Sequence, residues 1–321
     1  MQLAIDVGHG YVKALSSRGH RALFPALLHP APQVMNLGSY AQLPVTVIDG
    51  QSFVVGEPAR RFAAPVWARN KAMDDDTLRL MVTAAAQCGA TGPVTLATGL
   101  PLAWWGSQHQ AFKTALLGFG ATVRLPDAAP QRLWFESVLV LPQGIAAAGP
   151  VLDAAHYRPG PYLVVDIGYR TTDFLLVTKQ ADGVLAFDPL AAGSIELGMH
   201  AVYAGLAESL TTTYQIPFTA AQVAEVSTVV VRGESVEIAT VRAAQATLVA
   251  QSLVKALLEK LDAQMDQVLG LVAVGGGSRL LSDALPQVIQ PPDPQWANAQ
   301  GYLAAVMAAD RLRVRSAGVQ G

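Results

Sequence analysis

Charged residues and cysteine are both scarce in this sequence. Asp, Glu, Lys and Arg make up 14% of the 321 residues, and the formal net charge is −2. A chain so close to neutral lacks the broad basic surface of proteins that bind nucleic acid through bulk electrostatics. Cys88 is the one cysteine, so no internal disulfide can form, and we interpret it as a buried thiol.

Several sequence signatures are also missing. No apolar run is long enough to span a bilayer, and no basic segment precedes an apolar one at Met1, so we expect no membrane anchor and no signal peptide. The six histidines show no H-x-x-x-H spacing, which argues against a zinc site. No G-x-x-x-x-G-K-[ST] motif occurs, which excludes a P-loop enzyme. These absences favour a cytoplasmic protein.

Hydrophobic residues, in contrast, are abundant at 51% of the chain, enough for the cores of two medium-sized domains. Segments with helical periodicity alternate with short apolar strands, which predicts the α/β class. The predicted helices cover residues 76–88, 104–117, 197–210, 241–269 and 298–312. Asp74 to Asp76 precede the first of these, where carboxylates favour a helix N-terminus.

Two stretches of the chain repeat one pattern. Residues 4–13 (AIDVGHGYVK) and 164–173 (VVDIGYRTTD) each place an Asp at the end of an apolar run, followed by a glycine turn and a second apolar run. This predicts two β-hairpins with Asp6 and Asp166 at their mouths. Facing hairpins would supply backbone N–H groups for phosphate oxygens, with a divalent cation, most simply Mg²⁺, between phosphate and carboxylates. The repeat therefore predicts a nucleotide cleft between two related halves; an Asp that only caps its own turn is the alternative.

Other residues near these turns carry suitable chemistry, each with a plainer interpretation. Lys13 is placed to reach a phosphate as a point charge, although it could be an ordinary surface lysine. Thr171 and Thr172 add hydroxyl donors to the second turn. The first turn has His9 and Tyr11 where a Ser or Thr would be most useful, so its hold on phosphate would depend on backbone amides.

Two further segments have helix-entry patterns. Residues 274–278 (VGGGS) are typical of a strand-to-helix glycine turn, where the backbone could approach a flat adenine or a phosphate. The alternative is a plain turn with no ligand. Residues 193–198 (GSIELG) could place Glu196 near a ribose hydroxyl, or merely supply a first-turn carboxylate. Gln143 follows a strand and a proline, where its amide could orient a water for attack on phosphorus or cap a helix.

The ordered set of motifs resembles the actin-like ATPase superfamily, most closely the ParM/StbA plasmid-segregation proteins and the archaeal actin-like proteins. The matching segments, in order, are D-x-G at 6–8, LPQG at 141–144, D-x-G-x-x-TTD at 166–173 and GGG at 275–277. Residues 69–71 (RNK), 98–101 (TGLP) and 298–302 (NAQGY) add ParM-type features. The resemblance covers residues 1–309 and implies the two-domain, ribonuclease H-like α/β fold of actin.

The resemblance also implies a domain layout. The first domain would span residues 1–155, with a small insertion at about 22–72, and would be completed by a C-terminal helix at 298–315. The second would span residues 160–297, with a small insertion at about 211–242. The stretch between them, 153–161, is rich in proline and glycine and is the predicted linker.

Site roles follow from the same resemblance. Asp6 and Asp166 would hold Mg²⁺, through water, and act with Gln143 in catalysis. The phosphates of ATP or ADP, or of the corresponding guanine nucleotides, would be held by Gly8, Gly10, Tyr11, Lys13, Gly168, Thr171 and Thr172. The pocket for the nucleoside would be lined by Gly193, Glu196, Gly276, Gly277 and Ser278. Gln143 would position the attacking water, where ParM relatives often have Glu.

The function implied is nucleotide-dependent assembly into a homopolymeric filament, with hydrolysis destabilising the polymer. Such a filament would move plasmid DNA through a DNA-binding adaptor protein, without direct nucleic-acid or membrane contact. Two alternatives stay open: a small-molecule kinase of the same superfamily, and a scaffold that binds nucleotide without polymerising. A kinase needs a carboxylate base facing a hydroxyl, and the sequence offers no candidate outside the phosphate loops.

Overall fold

The computed structural model describes residues 1–33, 42–62, 70–153, 157–282 and 288–318. The strands are β1 (Gln2–Val7), β2 (Tyr11–Ser16), β3 (Arg21–Pro25), β4 (Leu28–Pro30), β5 (Thr46–Ile48), β6 (Gln51–Val55), β7 (Gly92–Leu100), β8 (Gly120–Arg124), β9 (Gln131–Pro142), β10 (Gly160–Ile167), β11 (Thr172–Lys179), β12 (Leu185–Ile195), β13 (Thr228–Val231), β14 (Glu234–Glu237), β15 (Leu271–Val274) and β16 (Val288–Ile289). The helices are α1 (Asp75–Gln87), α2 (Leu102–Leu116), α3 (Ile145–Leu152), α4 (Met199–Tyr214), α5 (Ala220–Val223), α6 (Ala239–Met265), α7 (Ser278–Leu281) and α8 (Ala297–Gly318).

The chain divides into two compact units. The first comprises Met1–Pro150 and Asn298–Gly321, and the second comprises Val151–Ala297. The predicted α/β class is confirmed in both, since each unit combines a mixed sheet with helices. Within the described ranges, no helix is both long and apolar enough to cross a bilayer. Arg69 and residues 154–156 of the predicted linker lie outside the described residues.

The first unit is built on a nine-stranded sheet in the order β3-β2-β1-β7-β9-β8-β5-β6-β4. Its centre is parallel, because β7 pairs in parallel with both β1 and β9. The strands β4, β5 and β6, from the predicted insertion at about 22–72, extend this sheet through the pairing of β5 with β8. The core lies between the sheet and its helices, and includes Leu3, Ile5, Leu80, Leu96 and Phe135, all fully buried.

Helix α1 begins where the run of aspartates predicted it. Asp74 is the N-cap, and its carboxylate accepts the Thr77 backbone N–H at 2.8 Å. Asp75 and Asp76 occupy the first turn, where carboxylates favour the helix macrodipole. Cys88 ends the helix with its thiol fully buried, as predicted, and burial raises its pKa from 9.0 to about 11.

The second unit is built on a five-stranded sheet in the order β12-β11-β10-β15-β16. Helices α4 and α6 pack against each other, and residues such as Leu253, Leu257 and Leu261 of α6 are buried in the core. Leu248, which has the same helical periodicity in the sequence, is 56% exposed, so the apolar face of α6 is narrower than predicted. Strands β13 and β14 form a separate two-stranded sheet.

Each sheet ends in a strand that is short or interrupted. In the first unit, β3 ends at Pro25, and β4 is three residues long and ends at Pro30. In the second unit, β16 has two residues, and the longer β12 contains Pro189 beside a register shift in its pairing with β11. Proline cannot donate a backbone hydrogen bond, so among the strands described here no outer edge offers a long regular ladder.

Candidate functional site

The two sequence repeats form equivalent hairpins. In the first, β1 and β2 pair so that Asp6 lies opposite Lys13. In the second, β10 and β11 place Asp166 opposite Asp173. Each turn closes with the same hydrogen bond: Gly8 N–H donates to the Tyr11 carbonyl at 3.0 Å, as its counterpart Gly168 does to Thr171 at 2.9 Å. We refer to residues 8–11 as the first loop and residues 168–171 as the second loop.

The equivalence extends into the sheets. Strand β1 has a parallel partner, β7, on one side and the antiparallel β2 on the other, with β3 beyond it. Strand β10 has the corresponding neighbours β15, β11 and β12. Each loop therefore follows a strand that lies inside its sheet, at the carboxyl end where α/β proteins place ligands. The predicted internal repeat thus has a structural counterpart.

Asp6 is the centre of a hydrogen-bonded group at the first loop. Its side chain is buried, with 4% of its surface exposed. Lys13 Nζ donates to Asp6 Oδ2 at 2.8 Å in a largely buried ion pair. Gln143 Nε2 donates to Asp6 Oδ1 at 3.1 Å. Both carboxylate oxygens therefore have a partner from the first unit, and three predicted site residues meet at one point.

The backbone on both sides of Gln143 is fixed. Its N–H donates to the Leu100 carbonyl at the end of β7, at 2.9 Å. The next residue, Gly144, has a φ of +76°, and its N–H donates to Asn298 Oδ1 at 3.0 Å. Asn298, in α8, is itself buried. Helix α8 also packs closely on α3, since a Cβ on Gly301 would overlap the Ala146 carbonyl.

Lys71 is a residue at the first loop whose role sequence reasoning missed. It lies in a 3-10 turn, Lys71–Met73, with 5% of its surface exposed, and its Nζ donates to the Val7 carbonyl at 2.6 Å. Val7 is the last residue of β1, so a buried ammonium adjoins the first loop. The sequence shows only a lysine next to Asn70, and no local pattern distinguishes it from a surface lysine.

The remaining residues of the first loop have structural partners. The Gly10 carbonyl accepts the Ala26 N–H at 2.9 Å, which ties the loop to the chain just beyond β3. The Tyr11 hydroxyl accepts from Arg60 Nη2 at 3.2 Å. A Cβ on Gly8 would lie 3.1 Å from the Tyr11 carbonyl and 3.7 Å from Lys13 Nζ, so the lysine ammonium is close to the loop backbone.

At the second loop, Asp166 is 7% exposed and lies beside the glycine turn after β15. Gly275 has a φ of +86°, which favours glycine, and a Cβ there would overlap the Asp166 carboxylate and the Ile167 carbonyl. Gly277 N–H donates to the Ile167 carbonyl at 2.9 Å. The structure therefore brings the second D-x-G motif and the GGG motif into direct contact.

The two threonines of the second hairpin differ in environment. Thr172 is fully buried, and its hydroxyl donates to the Leu197 carbonyl at 2.7 Å, which links β11 to the start of α4. Thr171 is partly exposed. Asp173 is 3% exposed and accepts a short hydrogen bond from the Ser194 hydroxyl on β12. Its position, opposite Asp166, puts a second carboxylate on the same face of the sheet.

Helix α4 supports the second loop from its N-terminus. Met199 N–H donates to the Gly168 carbonyl at 3.1 Å, and His200 N–H donates to the Tyr169 carbonyl at 2.6 Å. Gly198 has no room for a side chain, because a Cβ would lie 2.7 Å from the Gly168 carbonyl. Burial lowers the pKa of His200, and the positive charge of Arg170 lowers it further.

The residues predicted to line a nucleoside are dispersed around this turn. Gly276 and Glu196 are exposed, whereas Ser278 is fully buried and its hydroxyl donates to the Gly275 carbonyl at 2.8 Å. Gly193 lies on β12, where a Cβ would come within 2.8 Å of the Phe174 ring. Ser278 and Gly193 thus have local packing roles, although Gly193 is partly exposed, and Gly276 and Glu196 are the most exposed of these four residues.

The donor chemistry suits magnesium held largely through water. In the part of the chain that the structure describes, no group of three or more His, Cys, Asp or Glu side chains could hold a metal ion. Mg²⁺ usually keeps several waters and binds one or two carboxylates together with substrate phosphates. Asp166, with Asp173 on the same face of its sheet, supplies carboxylates of this kind, and Asp6, held by Lys13 and Gln143, supplies another.

Comparison with known proteins matches both units. The family described as "Actin like proteins N terminal domain" matches residues 4–145, and the family "Archaeal actin homologue MreB-like, C-terminal" matches residues 164–287. The chain belongs to the actin-like ATPase superfamily. An archaeal actin homolog of Thermoplasma acidophilum is 26% identical, covering 94% of this chain and 97% of the relative, and one of Thermoplasma volcanium is 25% identical with the same coverage.

Solved structures agree with this membership. The ADP complex of Ta0583, an archaeal actin homolog, has a TM-score of 0.79 at 25% identity, covering 96% of this chain and 99% of that one. A 15-stranded ParM filament from Clostridium botulinum has a TM-score of 0.82 at 19% identity, with the same coverage. The resemblance stated from the motifs and the predicted actin-like two-domain fold are both confirmed.

Proposed function

We propose that this actin-like protein binds and hydrolyses ATP with Mg²⁺ and assembles into cytoplasmic filaments of its own copies. The observation that carries the proposal is the duplicated hairpin, in which two loops of equal register follow Asp6 and Asp166 and close with the same hydrogen bond. A repeated turn with a buried carboxylate at the same place supports a role in binding phosphate and Mg²⁺.

The residues would divide the chemistry as follows. The backbone N–H groups of both loops would hold phosphate oxygens, and Lys13 and Lys71 would add positive charge at the first loop. Asp6 and Asp166 would each act on Mg²⁺ through its water shell. Mg²⁺, when bound, would neutralise charge on the phosphates. Gln143 would orient the attacking water, since its amide is too weak a base to take the proton.

The adenine preference and the filament are supported by relatives. Ta0583 is solved with ADP, and a ParM of similar fold is solved as a filament. We propose further that the filament moves plasmid DNA through a DNA-binding adaptor, since a net charge of −2 argues against direct binding to DNA.

The test is phosphate release and light scattering of the purified protein with Mg²⁺ and either ATP or GTP. Scattering should rise on addition of nucleotide, and phosphate should follow. Asp166→Ala should abolish phosphate release, whereas Asp182→Ala, which removes an exposed carboxylate from the turn before β12, should leave both signals unchanged. Turnover without scattering would contradict the filament, and full turnover by Asp166→Ala would contradict the site.

A further inference from the structure

The contact between Asp6 and Gln143 determines which end of the glutamine amide is available to a ligand. Asp6 is ion-paired with Lys13 and is therefore a carboxylate, which accepts hydrogen bonds and has no proton to donate. The amide of Gln143 must then turn its NH₂ group toward Asp6 Oδ1, at 3.1 Å. Oε1, an acceptor, is left on the side away from Asp6.

The glutamine has little freedom to present any other arrangement. Its own N–H and that of Gly144 are bound to the Leu100 carbonyl and the Asn298 side chain, so its backbone is fixed. The Asp6 carboxylate is nearly fully buried and held by Lys13 at 2.8 Å, so the acceptor it presents is also fixed. The second hairpin cannot reproduce this arrangement, because the residue opposite Asp166 is Asp173 and not a cation.

We infer that Asp6 is a positioning residue, which orients the Gln143 amide so that Oε1 accepts a hydrogen bond from the attacking water. This inference rests on the proposed ATP hydrolysis. In that reaction the water oxygen bonds to the γ-phosphorus while the bond from phosphorus to the β,γ-bridging oxygen breaks. ADP leaves with that electron pair, and the water proton passes to the phosphate product. Gln143 holds the water and takes no proton.

The test exchanges donor and acceptor between the two side chains. In Asp6→Asn, Lys13 donates to the single oxygen of the introduced amide, so the Asn NH₂ group faces Gln143. The Gln143 amide must then flip, and it presents its NH₂ group, a donor, to the water. The double variant adds Gln143→Glu, whose two oxygens are both acceptors. The double variant restores the wild-type arrangement, because the Asn NH₂ donates to one oxygen of the introduced glutamate and the other oxygen accepts from water. The double variant also keeps the wild-type formal charge.

Asp6→Asn should lower kcat for phosphate release by about 100-fold. The double variant should recover to within about tenfold of the wild type. The matched control is Asp127→Asn with Gln110→Glu, the same exchange at two exposed positions, which should leave kcat unchanged. A double variant as slow as Asp6→Asn would overturn the inference.

A second measurement separates this inference from the proposed function. The side-chain ¹⁵N amide resonance of Gln143, recorded without nucleotide, should shift in Asp6→Asn and not in Asp127→Asn. An unchanged Gln143 resonance in Asp6→Asn would overturn the inference whatever the activity. A wild-type protein that releases no phosphate would contradict the proposed ATPase, while the resonance would still decide whether Asp6 orients the amide.

Discussion

Replacing Lys13 with Met should destabilise the first unit by about 3 kcal/mol. The Lys13 side chain is 11% exposed and that of Asp6 4%, so the substitution leaves a buried carboxylate without its cation. Removing one partner of a buried ion pair costs about 3–5 kcal/mol, and the remaining hydrogen bond from Gln143 favours the lower end of that range. Replacing both partners, as Lys13→Met with Asp6→Leu, should cost far less, because no buried charge remains.

The assay is urea denaturation without nucleotide, followed by tryptophan fluorescence in a Trp296→Phe background, so that the signal comes from the first unit. Arg132→Met is the control, because Arg132 pairs with Asp49 at 3.8 Å on the surface and should contribute less than about 1 kcal/mol. If Lys13→Met costs no more than Arg132→Met, or if the double variant is as unstable as the single one, the buried pair does not have the energetic role assigned to it.

Three other changes have definite expected results. Lys71→Met should weaken nucleotide binding about tenfold, because it loses the hydrogen bond to the Val7 carbonyl beside the first loop. Lys179→Met loses an equivalent 2.6 Å bond at the opposite end of β11 from the second loop and should not weaken binding, and titration with nucleotide measures both. Gly275→Ala should be destabilised by about 1–3 kcal/mol more than Gly50→Ala. Both glycines have φ above +80°, but only at Gly275 would a Cβ overlap neighbouring atoms, those of Asp166 and Ile167. Equal midpoints in urea denaturation would refute this. Burial raises the pKa of Cys88 to about 11, so its contribution to folding stability is complete below pH 9 and is lost as pH rises toward 11. The free energy of unfolding should therefore fall over that window in the wild type, and fall less in Cys88→Ala.

Local features of the fold were predictable from the sequence. The two hairpins depend on apolar runs and glycine turns within about ten residues, and the N-cap at Asp74 depends on the next three. Such signals lie within the stretch of chain that forms the element, so the sequence shows them directly. The ordered motifs likewise identify the superfamily from the sequence alone.

Contacts between distant segments were not predictable in this way. Gln143 lies 137 residues from Asp6, and Asn298 lies 154 residues from Gly144, so neither hydrogen bond has a local signal. Strands β5 and β6 lie in the predicted insertion at about 22–72, and nothing in its sequence shows that they extend the central sheet. Lys71 belongs to the RNK motif, but its buried position has no local signal, because burial of a lysine is a property of the assembled fold.

The interrupted outer strands restrict how copies of this protein can associate. Among the strands that the structure describes, Pro30 and Pro189 lack the amide hydrogen that continuous pairing requires, so a partner strand could follow those outer edges for only a few residues. Amyloid-like growth along those edges is thereby disfavoured. Contacts between copies that do not use these edges depend on surface side chains, which single substitutions can tune.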